Sequence, residues 1–375
     1  MQKKVIALAV AGLVSGAAFA QSNVTIYGIA DVGVEWANSD TAGDAGTKFR
    51  VQSGQQSGSR LGFRGEEALG NGLKAIFTLE MGLTLDNGKN TVHATPGGDA
   101  QGAGVNGAGF GDSTIFQRQA FAGLSHAKYG TATIGRQYTP FYLTKLDGDA
   151  FALGMGGTMN NLAAVIPGNA DRLNNSIAYT TPNWSGFSAN VVYSTGSEIN
   201  NNTKLEDSAE AFAVRGAYNN GPFAASLSYH DVEAVALVNN SLPSSKAWLA
   251  GANYDFKVVK VFATYGQGKT DQSGTTDVKG RLWSIGAAVP FGAHTVLAQY
   301  TDGENRTTGV KGNTDLWSLG YTYAMSKRTN LYANYSKIDN DSGVGFDINS
   351  AISNGLNAGN GSNPSSFMAG VRHAF

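Results

Sequence analysis

Two stretches of this chain carry residue types at spacings that do chemistry in other contexts. Gly102-Ala103-Gly104-Val105-Asn106-Gly107 matches G-x-G-x-x-G, a pattern that cradles a pyrophosphate between a strand and a helix. Here it sits in a Gly-rich run with no strand pattern before it and no helical pattern after it, so no dinucleotide site is expected. Asp339-Asn340-Asp341-Ser342-Gly343 begins like a calcium loop, but Val344 stands at the sixth position and Ser350 at the twelfth. That ligand set is incomplete, and a loop turn is expected. The histidines at 93, 126, 230, 294 and 373 have no metal-ligand spacing, and the absence of cysteine removes thiol chemistry. Nothing assembles a nucleophile, a base and an orienting group, so the chain is expected to be no enzyme and to need no cofactor. What remains is charge. In Ser59-Arg60-Leu61-Gly62-Phe63-Arg64-Gly65, Leu61 and Phe63 share one parity, and Arg60, Gly62, Arg64 and Glu66 share the other. Leu146-Asp147-Gly148-Asp149 holds the only acidic pair between Pro140 and Pro167.

The elements that position these charges read as strands. At the C-terminus Phe367, Ala369, Val371, His373 and Phe375 alternate with Met368, Gly370, Arg372 and Ala374. The same period of two orders Leu73 to Met81, Phe223 to His230 and Ala247 to Phe256, each with an apolar face opposite a polar or small one. Strands of about ten residues cross a hydrocarbon layer at a tilt, and a wet lumen explains the second face. Candidate short turns lie at 70–72, 128–130, 184–186, 219–222, 256–258, 291–293 and 326–328. Longer polar stretches lie near 38–50, 87–112, 141–173, 196–207, 231–245, 267–277, 302–314 and 340–364. Seven short turns and eight long loops separate sixteen strands, a count that one misread hairpin would move to fourteen or eighteen. All eight prolines fall at turns or loops, where no ladder bond is lost. Trp184, Phe187, Phe223, Phe256, Phe291, Tyr323 and Phe375 cluster near the short-turn ends, as an interfacial girdle would.

Composition agrees. Lys3 and Lys4, the apolar run Val5 to Val14 and Ala18-Phe19-Ala20 read as a secretory signal peptide over residues 1–20, leaving 21–375 as one barrel domain. Without those two lysines, 25 basic residues face 28 acidic ones, a balance of −3 that gives no general attraction for nucleic acid. Fifty glycines and a mean hydropathy of −0.18 suit a barrel in which every second residue faces lipid. A secreted soluble all-β adhesin is the rival class, and fractionation without detergent separates the two.

Five stretches then resemble a known family: NVTIYGIADVGVEW (23–36), SRLGFRGEEALGNGLKAIFTLE (59–80), FQRQAFAGLSHAKYGTATIGRQYTP (116–140), NNSIAYTTPNWSGF (174–187) and GVRHAF (370–375). They are similar to the general diffusion porins of Gram-negative outer membranes, closest to the trimeric, anion-preferring branch. The resemblance implies an all-β, 16-stranded antiparallel transmembrane barrel with short periplasmic turns, long external loops and a third loop folded inward. It implies a homotrimer in outer-membrane lipid that passes small hydrophilic solutes and anions by diffusion; a substrate-specific channel is the narrower alternative. It places Arg118, Arg136 and Arg172 beside Arg60 as the basic wall of a constriction, with Asp147 and Asp149 as its acidic loop. Arg136 follows lipid-facing Ile134, so Gly135 would have to bend the strand to turn it inward. Small residues such as Gly28, Ala30, Gly123 and Ala132 would line the subunit face.

Overall fold

The computed structural model describes residues 23–41, 46–90, 115–196, 210–233, 243–271, 276–310, 312–348 and 359–375. Residues 1–20, read from the sequence as a signal peptide, and the Gly102–Gly107 run lie outside them. The strand segments are β1 (Asn23–Asn38), β2 (Lys48–Ser53), β3 (Arg60–Gly70), β4 (Leu73–Gly82), β5 (Gln119–His126), β6 (Gly130–Tyr138), β7 (Arg172–Thr180), β8 (Phe187–Thr195) and β9 (Glu210–Asn220). They continue as β10 (Phe223–Glu233), β11 (Ser244–Asp255), β12 (Lys260–Asp271), β13 (Val278–Phe291), β14 (His294–Asn305), β15 (Gly312–Ala324), β16 (Thr329–Asn340) and β17 (Ser365–Ala374). All pair antiparallel, and β1 meets β17 from Ile29↔Ala374 to Asn38↔Ser365, which closes the ring. Gly28 and Phe375 exchange both backbone bonds just below that ladder. The seven joints at the lower rim coincide with the seven short turns read from the sequence. Closure satisfies every strand edge internally, which a lipid environment demands.

Seventeen segments make sixteen barrel positions, because β2 and β3 share one. β1 pairs with β2 from Val32↔Ser53 to Ala37↔Lys48, and with β3 from Asn23↔Glu66 to Ile29↔Arg60. The turn and loop positions imply one unbroken strand here, yet residues 54–59 leave the ladder. The cause is Asp31, fully buried on the inner face of β1. Its carboxylate accepts from Gln56 N at 3.0 Å, Ser57 N at 2.6 Å and the Tyr332 hydroxyl at 2.7 Å. A buried carboxylate needs such donors, and Gly54, at φ 68°, turns the backbone inward to supply them.

The loop between β6 and β7 also turns inward. Thr139 caps a helix over Pro140–Gly148: its hydroxyl accepts from Tyr142 N at 3.0 Å, and Pro140 occupies the first helical position. Two 3-10 turns follow, Met159–Asn161 and Ala163–Val165. Phe141, Leu153, Met159, Leu162 and Ile166 of this loop form one core with Leu249, Leu282, Leu316 and Ile338 of the wall. Those four wall residues have lumen parity, and the loop keeps them dry. Each fully buried side chain of this kind stabilises by roughly 1.5–3 kcal/mol.

The seat is close enough to require glycine. A Cβ on Gly280 would stand 1.6 Å from the Val165 carbonyl oxygen, and one on Gly154 would stand 1.8 Å from that of Gln56. Beside Gly154, Met155 N donates to Gln55 O at 2.6 Å, so the loop tip rests on the 54–59 break. Outside, the aromatics expected at the short-turn end are exposed, and a second row stands near the loop end. It is marked by the ring pairs Trp248–Tyr265, Trp283–Tyr300 and Trp317–Tyr335 at 5.3–5.4 Å.

Candidate channel constriction

β3 begins at Arg60, whose inward parity follows from Leu61 and Phe63. Its Nε donates to Gly58 O at 2.8 Å, and its guanidinium lies 3.8 Å from Glu80 on β4. Arg118, one residue before β5, reaches the same Glu80 oxygen through Nε at 2.7 Å and donates to the Tyr138 hydroxyl at 2.9 Å. Arg172, the first residue of β7, donates to that hydroxyl at 3.2 Å and lies over the Tyr138 ring at 4.6 Å. Tyr138 in turn stacks on Tyr142 of the loop helix, with centroids 4.2 Å apart. One chain of contacts therefore runs Arg60, Glu80, Arg118, Tyr138, Arg172. Among the described residues, these three guanidiniums gather around one carboxylate, Glu80.

The bend at Gly135 is present. Its φ is 132°, and the β6–β7 register shifts between Gly135 and Gln137, so Arg136 is the extra residue of a bulge. Arg136 Nε donates to Gln117 O at 2.6 Å, and its guanidinium bonds Asn174 Oδ1. The four arginines thus divide into a trio joined through Glu80 and Tyr138, and a neighbour seated on Gln117.

The loop acids occupy other places than an acidic rim requires. Asp147 pairs with Arg215 of β9 and accepts from the Ser226 hydroxyl of β10 at 2.5 Å, while its backbone oxygen accepts from Asn253 at 2.8 Å. The wall therefore neutralises its charge. Asp149 is 1% exposed and does not face water. One oxygen accepts from Phe151 N and Leu153 N; the other accepts from the Thr158 hydroxyl, Met159 N and the Gln299 amide. Burial pushes its carboxyl up, and the donors from Met159, Gln299, Thr158 and Leu153 pull it back. Its place inside the loop turn corrects the expectation for this residue: five donors converge on it because it organises the turn.

Sequence reasoning missed Glu80, Tyr138, Lys145 and Arg215. Glu80 has the lumen parity of β4, so pairing β3 with β4 puts Gly62 opposite it and Arg60 within reach. Lys145, fully buried, carried no such signal. Its ammonium bonds Asp171, Asn160 at 2.7 Å and Asn169 at 3.0 Å, which ties the outgoing limb of the loop to the returning one.

Known proteins share this architecture. The sequence pattern of the Gram-negative porins matches residues 7–362. Outer membrane porin protein 32 of Delftia acidovorans is 34% identical over 100% of both chains. An outer membrane porin protein of Bordetella pertussis is 30% identical over 89% of this chain and 93% of its own. The solved anion-selective porin from Comamonas acidovorans superposes with a TM-score of 0.76 at 29% identity, over 95% of this chain and 100% of that one. The closed sixteen-stranded ring of this chain matches solved porin structures, and the chain belongs to the Gram-negative porin family, whose members form outer-membrane channels for passive diffusion.

Proposed function

We propose that this channel passes small hydrophilic solutes without catalysis and prefers anions, and that Arg60, Arg118 and Arg172 set the preference. The observation that carries this reading is the shared use of Glu80 and Tyr138, which holds three guanidiniums together on one wall. Arg60 reaches the passage, and Arg118 and Arg172, buried beside it, act on a passing anion through their field rather than by contact. The anion selectivity of the Comamonas acidovorans relative supports the same sign. Arg136 adds a fourth cation beside the trio. Asp147 tempers the field only weakly, being paired with Arg215.

The mature chain begins at Gln21 after removal of residues 1–20, and it assembles as a homotrimer through the outer face of β1, β5 and β6. Val24, Ile26, Ala132 and Ile134 are exposed there. Two small residues named for that face are placed differently. Gly28 lies under the Phe375 ring, and Gly123 packs inward on Thr133. Reversal potentials across a salt gradient test the selectivity. An Arg60→Gln, Arg118→Gln, Arg172→Gln triple variant should lose most anion preference at low salt, and parent-like potentials would refute the trio. Native mass measurement in detergent tests the trimer, and a stable monomer alone would count against it.

A further inference from the structure

The lumen face of β3 carries a second arginine that the constriction does not use. The strand runs from Arg60 toward the short turn at 70–72, so Arg64 lies four residues to the periplasmic side of Arg60, roughly 14 Å at about 3.4 Å per residue. The charged side chains around it are matched. Lys74 bonds Glu66 at 2.9 Å, Arg50 bonds Glu35 at 2.7 Å, and Glu80 holds Arg60 and Arg118. Arg64 is exposed and has no ion pair among the described residues. A cation kept without a counter-ion in a wet passage is open to an anion from solution.

Arg64 also has a fixed seat. Its guanidinium carbon lies 5.1 Å from the centre of the Tyr27 ring, a cation–π contact. That ring is anchored at its far end, where the hydroxyl donates to Glu80 at 3.0 Å. It lies across β3 over Gly62, where a Cβ would overlap it, so only glycine fits between the two arginines. On the flanking strands, Thr25 of β1 and Thr78 of β4 are the direct ladder partners of Arg64. Side chains of such partners share one face of the sheet, with Cβ atoms about 4.5–5.5 Å apart. Neither threonine hydroxyl has a hydrogen-bond partner among the described residues. A planar guanidinium with a hydroxyl on each side offers directed donors to the several oxygens of a tetrahedral oxyanion, whereas a halide gains little from that geometry.

We propose that Arg64, Thr25 and Thr78 form an oxyanion site on the periplasmic side of the constriction, which binds phosphate in preference to chloride. It rests on the reading of this chain as an anion-preferring channel and adds a preference among anions: the constriction trio selects by charge, and this site by hydrogen-bond geometry. The test uses the mature protein inserted in one orientation in planar bilayers, with chloride as the current carrier and inorganic phosphate as the probe. Phosphate added on the short-turn side should reduce the chloride current saturably. Arg64→Gln should raise the half-inhibiting concentration at least about tenfold, because charge-assisted hydrogen bonds are lost. T25V/T78V should raise it roughly fivefold with the arginine in place. Arg64→Lys, which keeps the charge without the planar fork, should fall between the parent and Arg64→Gln. Heat-modifiable gel mobility shows that each variant is folded. The Arg60→Gln, Arg118→Gln, Arg172→Gln variant separates the two readings, since its reversal potential reports the trio and persistence of saturable phosphate inhibition reports the site. A current that falls without saturation, or an Arg64→Gln variant inhibited like the parent, overturns the proposal. So do T25V/T78V and Arg64→Lys variants both inhibited like the parent, since Arg64 would then act only as a charge.

Discussion

On the constriction wall Glu80 accepts from Arg118 and from the Tyr27 hydroxyl at 3.0 Å, and Arg60 stands 3.8 Å away. Replacing it with glutamine removes the carboxylate that Arg60 and Arg118 share, so Glu80→Gln should raise anion preference, whereas Arg118→Gln should lower it. A unit charge about 7 Å from a passing ion is worth roughly 2 kcal/mol at an effective dielectric near 20, and about 0.6 in bulk water. A residual of about 1 kcal/mol in a wet passage is roughly fivefold in the permeability ratio. Reversal potentials at low salt read both changes, and 1 M salt should shrink them as the Debye length falls to about 3 Å. Asp147→Asn should also raise anion preference, because it releases Arg215, while Asp149→Asn should loosen the loop without shifting selectivity. Parity turned Arg60 inward together with Arg64 and Glu66, and Gly135 announced the bend at Arg136. The burial of Asp149 was not legible, because it depends on the loop's inward path, which brings Gln299 of β14, 150 positions away, onto its carboxylate.

The inward loop depends on a buried cation and on two wall contacts that exclude a side chain. Lys145→Met leaves Asp171 buried without its counter-ion, a change that costs about 3–5 kcal/mol in buried pairs. The barrel ladders do not use that pair, so the loss should fall on the loop. Expected results are noisier single-channel current and faster protease cleavage between Pro140 and Arg172, with the folded barrel's gel mobility unchanged. Gly280→Leu should act by displacement: the new side chain occupies the place of Val165, pushes the 3-10 turn into the passage and lowers conductance by tens of per cent. Parent-like conductance in that variant would mean that the loop seats elsewhere. Turn positions were readable because Gly, Asn and Pro mark them. The loop's path was harder to read, although Leu249, Leu282, Leu316 and Ile338 on lumen parity were its trace in the sequence. Four apolar side chains facing water are improbable unless something apolar covers them.

For the molecule as a whole, closure is the decisive event. Ten register pairs join β1 to β17, so deleting Ser365–Phe375 leaves two unpaired edges in hydrocarbon. Such a chain should fail to reach the compact, heat-modifiable form on gels, whereas truncation at Gln21 should not matter to the barrel. Strand number and closure were legible from periodicity and turns, and only the Asp31 break, a tertiary effect of one buried carboxylate, escaped that reading.

The seating of the inner loop has a mechanical consequence. Its tip is bonded to Gln55, its middle to Gln299 through Ala150 N at 2.8 Å, and its helix end to Asn253, three points spread around the circumference. A hollow hoop of strands can flatten under lateral pressure, but a hoop with an internal brace cannot do so without breaking those bonds. The loop that narrows the passage thus also stiffens the tube, and its aperture should hold steady as the surrounding bilayer changes thickness or tension.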